Sequence, residues 1–389
     1  MYLWSMLPER LQKKINNRKK DKALRALGLR EKLVDFSSND YLGFANSKTI
    51  FDNAHQLLVD KNIKVNGATG SRLLSGNHGL YTNIEDSLAA FHNAETALVF
   101  NSGYDANVGF FSSVPQRGDF VFYDELIHAS IRDGIQMSNA KSYKFKHNDL
   151  EDLRNKVELC YEKEGNTDTS EIYVVTESVF SMDGDIPDLK GFVDFCKKIN
   201  CHLVVDEAHA SGVFGNCGVG LLQELGLENE VFARINTFGK ALGCHGAIIL
   251  GSKELKQFLV NYARSFIYTT GLPPHSLATI QVAYQELKKT KEIEKLHSNI
   301  QYFRDKIRDT NLISMFIDSK SAIHCCIISG NEKVKAIAHQ IQDQGFDVKP
   351  ILSPTVPSGQ ERLRFCLHSF NSEEEIDEVL DLLATFVQN

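Results

Sequence analysis

Lys240 stands in the stretch TFGKALG, hemmed in by Gly239, Ala241, Leu242 and Gly243 directly after the apolar run VFARINTF (231–238). A lysine ordinarily belongs on a solvated face. Small apolar neighbours lower its pKa and make the amine a nucleophile able to form a Schiff base. Asp206, 34 residues earlier, ends another apolar run, CHLVVDEA (201–208), where a carboxylate must be paired or otherwise compensated. One helix and one strand span that distance, so both side chains can reach the same edge of a sheet. A purely structural ion pair would use the same two residues.

Further chemistry-bearing residues follow other short runs. Gly103 and Tyr104 lie in NSGYDAN (101–107), His128 in ELIHAS (125–130), Ser181 in SVFSMDGD (178–185), and His209 three residues beyond Asp206. Taken singly, each has an ordinary reading as a helix start, a surface histidine or a loop. Together they complete a set. A Schiff-base lysine and an acid that keeps a pyridinium nitrogen protonated are what pyridoxal 5′-phosphate requires. His128 would stack on its ring, and the amides of Gly103 and Tyr104 would hold its phosphate at a helix start. Ser181 and His209 would bond the polar edge of the ring. DEAH (206–209) is also the wording of a helicase box. The phosphate loop G-x-x-x-x-G-K-[ST] that must precede such a box is absent, as is a G-x-G-x-x-G dinucleotide fingerprint.

These residues need a scaffold that gathers strand ends. From about residue 80, helical stretches alternate with β-rich runs at 96–102, 119–124, 171–177, 201–208, 231–238 and 246–251. Several of these runs are apolar almost throughout, as in a mostly parallel sheet covered by helices on both faces. The pattern is α/β, and ligands of such sheets bind beyond the carboxyl ends of the strands. Upstream, residues 7–28 predict a helix stopping near Gly28, with a wet basic face and an opposite face of Leu7, Leu11 and Ile15; 33–44 predicts an extended segment and turn. Downstream of TTGLPPHS (269–276) comes a long helical stretch. Then follow a strand at 322–329, a helix near 331–344, a strand at 362–368 and a last helix at 372–388, which Ser372 and Glu375 would cap as a box. The expected division is an N-terminal helix and extended segment (1–45), a large cofactor-binding domain (46–275) and a small C-terminal α+β domain (276–389).

The 389 residues are 42% hydrophobic and 24% charged with a net charge of −7, which fits a globular chain and argues against a general nucleic-acid binder. None of the eight cysteines forms a Cys-x-x-Cys pair, so zinc-ribbon and thioredoxin readings fail, no metal is expected, and free thiols in a reducing compartment are. No signal-peptide pattern opens the sequence and no apolar run approaches the ~20 residues of a membrane helix. A cytoplasmic location is the expectation.

The segments VVDEAHASGVFGNCGVG, TFGKALG, NDYLG, GSRLLSGN and TESVFSMDGD together resemble the α-oxoamine synthases over nearly the whole chain. That resemblance implies the aspartate-aminotransferase-like fold type I of pyridoxal-phosphate enzymes, with a mostly parallel seven-stranded sheet in the large domain. It makes Lys240 the Schiff-base lysine, Asp206 the pyridinium partner and His128 the stacking histidine. Ser181, His209 and Thr237 become contacts to the cofactor edge, and Gly103 with Tyr104 matches a Gly-Phe pair on the phosphate side. Arg25, Asn39, Thr355 and Arg364 become substrate residues, with Arg362 the alternative to Arg364 for the amino-acid carboxylate. A homodimer with sites at the subunit interface is implied, with Thr269 and Thr270 reaching the partner's phosphate. The implied reaction is decarboxylative condensation of an amino acid with an acyl thioester, carried by coenzyme A or a carrier protein. L-Alanine with a pimeloyl thioester, a step of biotin biosynthesis, leads. Glycine with acetyl-CoA, serine with a palmitoyl thioester, and plain transamination are the alternatives.

Overall fold

The computed structural model describes residues 7–25, 27, 32–164, 170–310 and 312–388. Twelve strands are formed among the described residues: β1 (Val34–Asp35), β2 (Thr96–Phe100), β3 (Phe120–Asp124), β4 (Lys141–Phe145), β5 (Ile172–Glu177), β6 (His202–Asp206), β7 (Ala233–Thr237), β8 (Ala247–Gly251), β9 (Ile323–Ile327), β10 (Phe346–Asp347), β11 (Lys349–Ile351) and β12 (Arg362–Cys366). Seven of them make the main sheet in the order β2-β8-β7-β6-β5-β3-β4. β8 runs antiparallel to both neighbours, and the remaining pairs are parallel.

The strands are apolar on both faces because both faces are covered. Val99, Phe122, Val174, Val205 and Ile248 enter one buried cluster, and their alternates Leu98, Val121, Val175, Val204 and Ile249 enter the other. The period of two along a strand assigns neighbours to opposite layers. Six of the seven strands fall on the expected runs. The seventh, β4, reads Lys-Ser-Tyr-Lys-Phe and is largely exposed until Phe145. It is a sheet edge, where charged residues are favoured and an apolar run is not.

Towards the carboxyl end a three-stranded antiparallel sheet, β11-β12-β9, packs into the same core through Cys326, Leu363 and Phe365. The extended segment at 33–44 contributes β1, which pairs in parallel with β10. The last helix, Glu373–Gln388, starts at the expected box: Ser372 N donates to Glu375 Oε2 at 3.0 Å, and Glu375 N to Ser372 Oγ at 3.2 Å. The first helix corrects its expectation. It covers Glu9–Lys20, because Lys22 takes a left-handed φ of 51° and Ala23 N closes back on Arg18 O. Gly28, the expected stop, lies outside the described residues. No residue of this helix is buried, and Leu7, Leu11 and Ile15 face outward. No described helix is long and apolar enough to cross a membrane.

Candidate active site

The carboxyl ends of β5, β6 and β7 deliver Glu177, Asp206 and Thr237 to one edge of the sheet, with Glu177 directly opposite Asp206. Asp206 is buried at 6% exposure. Its Oδ1 accepts from Ala208 N at 2.8 Å and its Oδ2 from Asn107 Nδ2 at 2.8 Å, so the carboxylate is oriented by bonds on both oxygens. Asn107 sits one turn inside the helix Gly103–Ser113, which rises from the end of β2 with Ser102 as its cap. The N–H groups of Gly103 and Tyr104 open that helix without an intrahelical acceptor. A Cβ on Gly103 would stand 3.4 Å from Thr237 Oγ1, so glycine keeps the floor beside Thr237 open.

Lys240 lies in the turn after β7, partly buried, with Nζ 2.6 Å from His209 Nε2. A chain of bonds continues from there. His209 Nδ1 lies 2.7 Å from Tyr41 OH, Tyr41 OH donates to Asn39 Oδ1 at 3.1 Å, and Arg364 Nη2 donates to the same oxygen at 3.1 Å. The network assigns the tautomer: with the Tyr41 proton spent on Asn39, His209 donates through Nδ1 and accepts from Lys240 through Nε2. Burial, and then the Lys240 charge, hold His209 well below the ordinary histidine range, so it is the neutral ring this network needs. Burial, and then Arg364, bring the Lys240 amine down to about 8.

His128 caps the helix Ala129–Met137, its ring part-buried with Nδ1 2.7 Å from Ser130 Oγ. Burial lowers its pKa against the pull of Asp206. Ser181 presents its carbonyl to Arg364 Nε at 3.0 Å. Arg362 and Arg364 share one face of β12 but are used differently. Arg362 forms a buried ion pair with Asp183, whereas Arg364 reaches Asn39 and Ser181. Arg364 is therefore the arginine turned towards Lys240.

Nine of the expected positions thus meet at one edge: Lys240, Asp206, His209, His128, Ser181, Thr237, Gly103, Asn39 and Arg364. Tyr104 stands half exposed and bonds Asp133 through its hydroxyl at 2.7 Å, leaving only its backbone towards the helix start. Arg25 and Thr355 form a separate exposed pair, Nη2 to Oγ1 at 3.4 Å. Thr269 and Thr270 bond Asn101 beyond β2. Sequence reading gave no role to Asn107, Ser130, Tyr41 or Glu177. Asn107 had a signal: it lies four residues after Gly103, on the same face of a helix.

The donor set fits pyridoxal 5′-phosphate on observations of this chain. A lysine with a lowered pKa and a buried, oriented acid belong to one cluster. Two helix-opening amides lie beside Thr237, and a neutral histidine touches the amine. The Oδ1 of Asn107, whose Nδ2 holds Asp206, is buried with no hydrogen-bond partner among the described residues.

Comparison with known proteins agrees. The model of the aminotransferase class I and II family matches residues 31–383. A protein of Emericella nidulans named 8-amino-7-oxononanoate synthase is 42% identical over 368 residues, 91% of this chain and 89% of that protein. A putative 8-amino-7-oxononanoate synthase of Geobacillus kaustophilus is 38% identical, covering 90% and 88%. Among solved structures, a serine palmitoyltransferase from S. paucimobilis with a bound PLP–myriocin aldimine superposes with a TM-score of 0.86 at 25% identity, over 98% of this chain and 97% of that one. An 8-amino-7-oxononanoate synthase from Francisella tularensis gives 0.76 at 26% identity, over 92% and 99%. Sequence, sheet topology and site lead to one conclusion: the chain belongs to the aminotransferase class I and II family and, within it, to the α-oxoamine synthases, enzymes that work on pyridoxal 5′-phosphate.

Proposed function

We propose that this enzyme condenses L-alanine with a pimeloyl thioester, releasing CO2 and the free thiol and forming 8-amino-7-oxononanoate. The observation that carries the reading is the arginine arrangement: Arg364, held by Asn39 and Ser181, points its charge to the side of Lys240, while Arg362 is consumed by Asp183. A bidentate cation beside the amine suits the carboxylate of an amino acid. When bound, pyridoxal 5′-phosphate supplies an electron sink for the charge left at Cα.

The chain's own residues do the rest. Lys240 would carry the cofactor. Its free amine would take the Cα proton, a task that an amine near 8 suits at neutral pH. His209 accepts from that amine and fixes its direction. Asp206, oriented by Asn107 and Ala208 N, would hold the ring nitrogen protonated. His128 would stack on the ring, the Gly103 and Tyr104 amides would hold the phosphate, and Ser181 and Thr237 would bond its edge. Arg25 and Thr355 would meet the acyl end of the thioester, and a homodimer in the cytoplasm is the proposed working state.

Structural and sequence likeness rank the relatives differently. Serine palmitoyltransferase superposes with the higher TM-score, but the curated 8-amino-7-oxononanoate synthases share far more of the sequence. A shared scaffold does not discriminate substrates, so sequence identity weighs more. The test is a matrix of alanine, glycine and serine against acetyl-, pimeloyl- and palmitoyl-CoA, reading free thiol. Alanine with pimeloyl-CoA is expected to have the highest kcat/KM. A higher value for glycine with acetyl-CoA, or for serine with palmitoyl-CoA, would overturn the assignment.

A further inference from the structure

Glu177 is a buried carboxyl, 3% exposed, at the last position of β5, and the reaction scheme above leaves it without a task. It faces Asp206 across the sheet register. Placing two carboxyls side by side away from water is costly, and burial, then Asp206, push Glu177 up to about 8. Such a group persists only if what it binds offsets that cost. Its two oxygens show what it binds. Oε1 accepts the backbone N–H of His128 at 2.5 Å, and Oε2 the backbone N–H of Ser181 at 3.3 Å. These residues belong to two different loops, one after β3 and one after β5, and they carry two of the side chains that flank the cofactor. Both bonds go to the main chain, so Glu177 sets where each loop stands and leaves the side chains free.

We propose that Glu177 is a positioning residue: one carboxyl, through one oxygen each, fixes the loops of His128 and Ser181 relative to one another and to Asp206. This deepens the cofactor reading above and rests on it. The residue type follows from the task. Glutamine offers one accepting oxygen, and its NH2 would face the second N–H. Aspartate is one methylene too short to span both loops.

The test has two arms. In the apo-protein, hydrogen exchange should show the amides of His128 and Ser181 protected like those of the core strands; exchange as fast as an exposed loop would overturn the proposal without any variant. In the second arm, Glu177→Gln should weaken pyridoxal 5′-phosphate binding, read from its visible absorbance, by about tenfold, the cost of leaving one buried N–H without its acceptor. In a His128→Ala background the same change should cost less, since the part of its effect that acts through the His128 ring is already gone. Unchanged cofactor affinity in folded Glu177→Gln, or full additivity with His128→Ala, would overturn it. A failure of the cofactor reading itself is distinct: the wild-type protein would then show no visible band, while the exchange arm still decides on Glu177.

Discussion

Lys240 is the residue on which the proposed chemistry turns, and its surroundings bring it nearer the free base than an ordinary lysine. Burial and Arg364 lower its pKa to about 8, from an ordinary value of 10.5. Two consequences have definite signs. Between pH 8 and 10.5 the unfolded chain binds more protons at this lysine than the folded one, so its contribution to apo-protein stability improves as pH rises through that window. Covalent uptake of pyridoxal 5′-phosphate by the apo-protein needs the unprotonated amine. Its rate should climb with pH and level off above about 8; a rate still climbing towards pH 10 would contradict the burial argument. Lys240 and Asp206 were legible in the sequence because a charged residue among apolar neighbours is conspicuous. Tyr41 and Asn107 were not, because a tyrosine or an asparagine in such a stretch has many ordinary uses and its partner lies far along the chain.

The loop Ser181–Asp185 joins the two sheets. Asp183 pairs with Arg362 of β12, Ser319 Oγ donates to Gly184 O at 2.9 Å, and Ser181 O receives Arg364. Gly184 takes a φ of +72°, and a Cβ there would come within 2.3 Å of Ile323 O, so the loop lies flat against β9. Asp183→Ala would leave Arg362 buried without its counter-charge, at a cost of about 3–5 kcal/mol. It should lower the denaturation midpoint and raise KM for the amino acid, because Arg364 is two residues along the same strand. An unchanged midpoint would show that the pair does not brace the loop. Elements with a strong period were readable beforehand, including the capped last helix. β4 was not, because an edge strand carries Lys141 and Lys144 where a central one carries valine. The first helix ends eight residues before its expected stop at Gly28 because a left-handed turn at Lys22 intervenes, and lysine gives no warning of that conformation.

Across the whole molecule, the site is assembled from segments distant in sequence. Asn39 and Tyr41 come from the amino-terminal segment anchored by the pairing of β1 with β10, Lys240 and Asp206 from the main sheet, and Arg364 from the smaller one. Composition and periodicity predict the layers, but not that residues 39 and 364 share a hydrogen bond; only the resemblance to a family placed them together in advance. On the proposed function the enzyme joins two substrates and loses one carboxyl group. The most direct measurement follows carboxyl-labelled L-alanine with pimeloyl-CoA and the purified holoenzyme, counting CO2 and free thiol together. The account predicts one CO2 per thiol, and neither product when a substrate is withheld. Formation of a keto acid from alanine with no thiol released would contradict it.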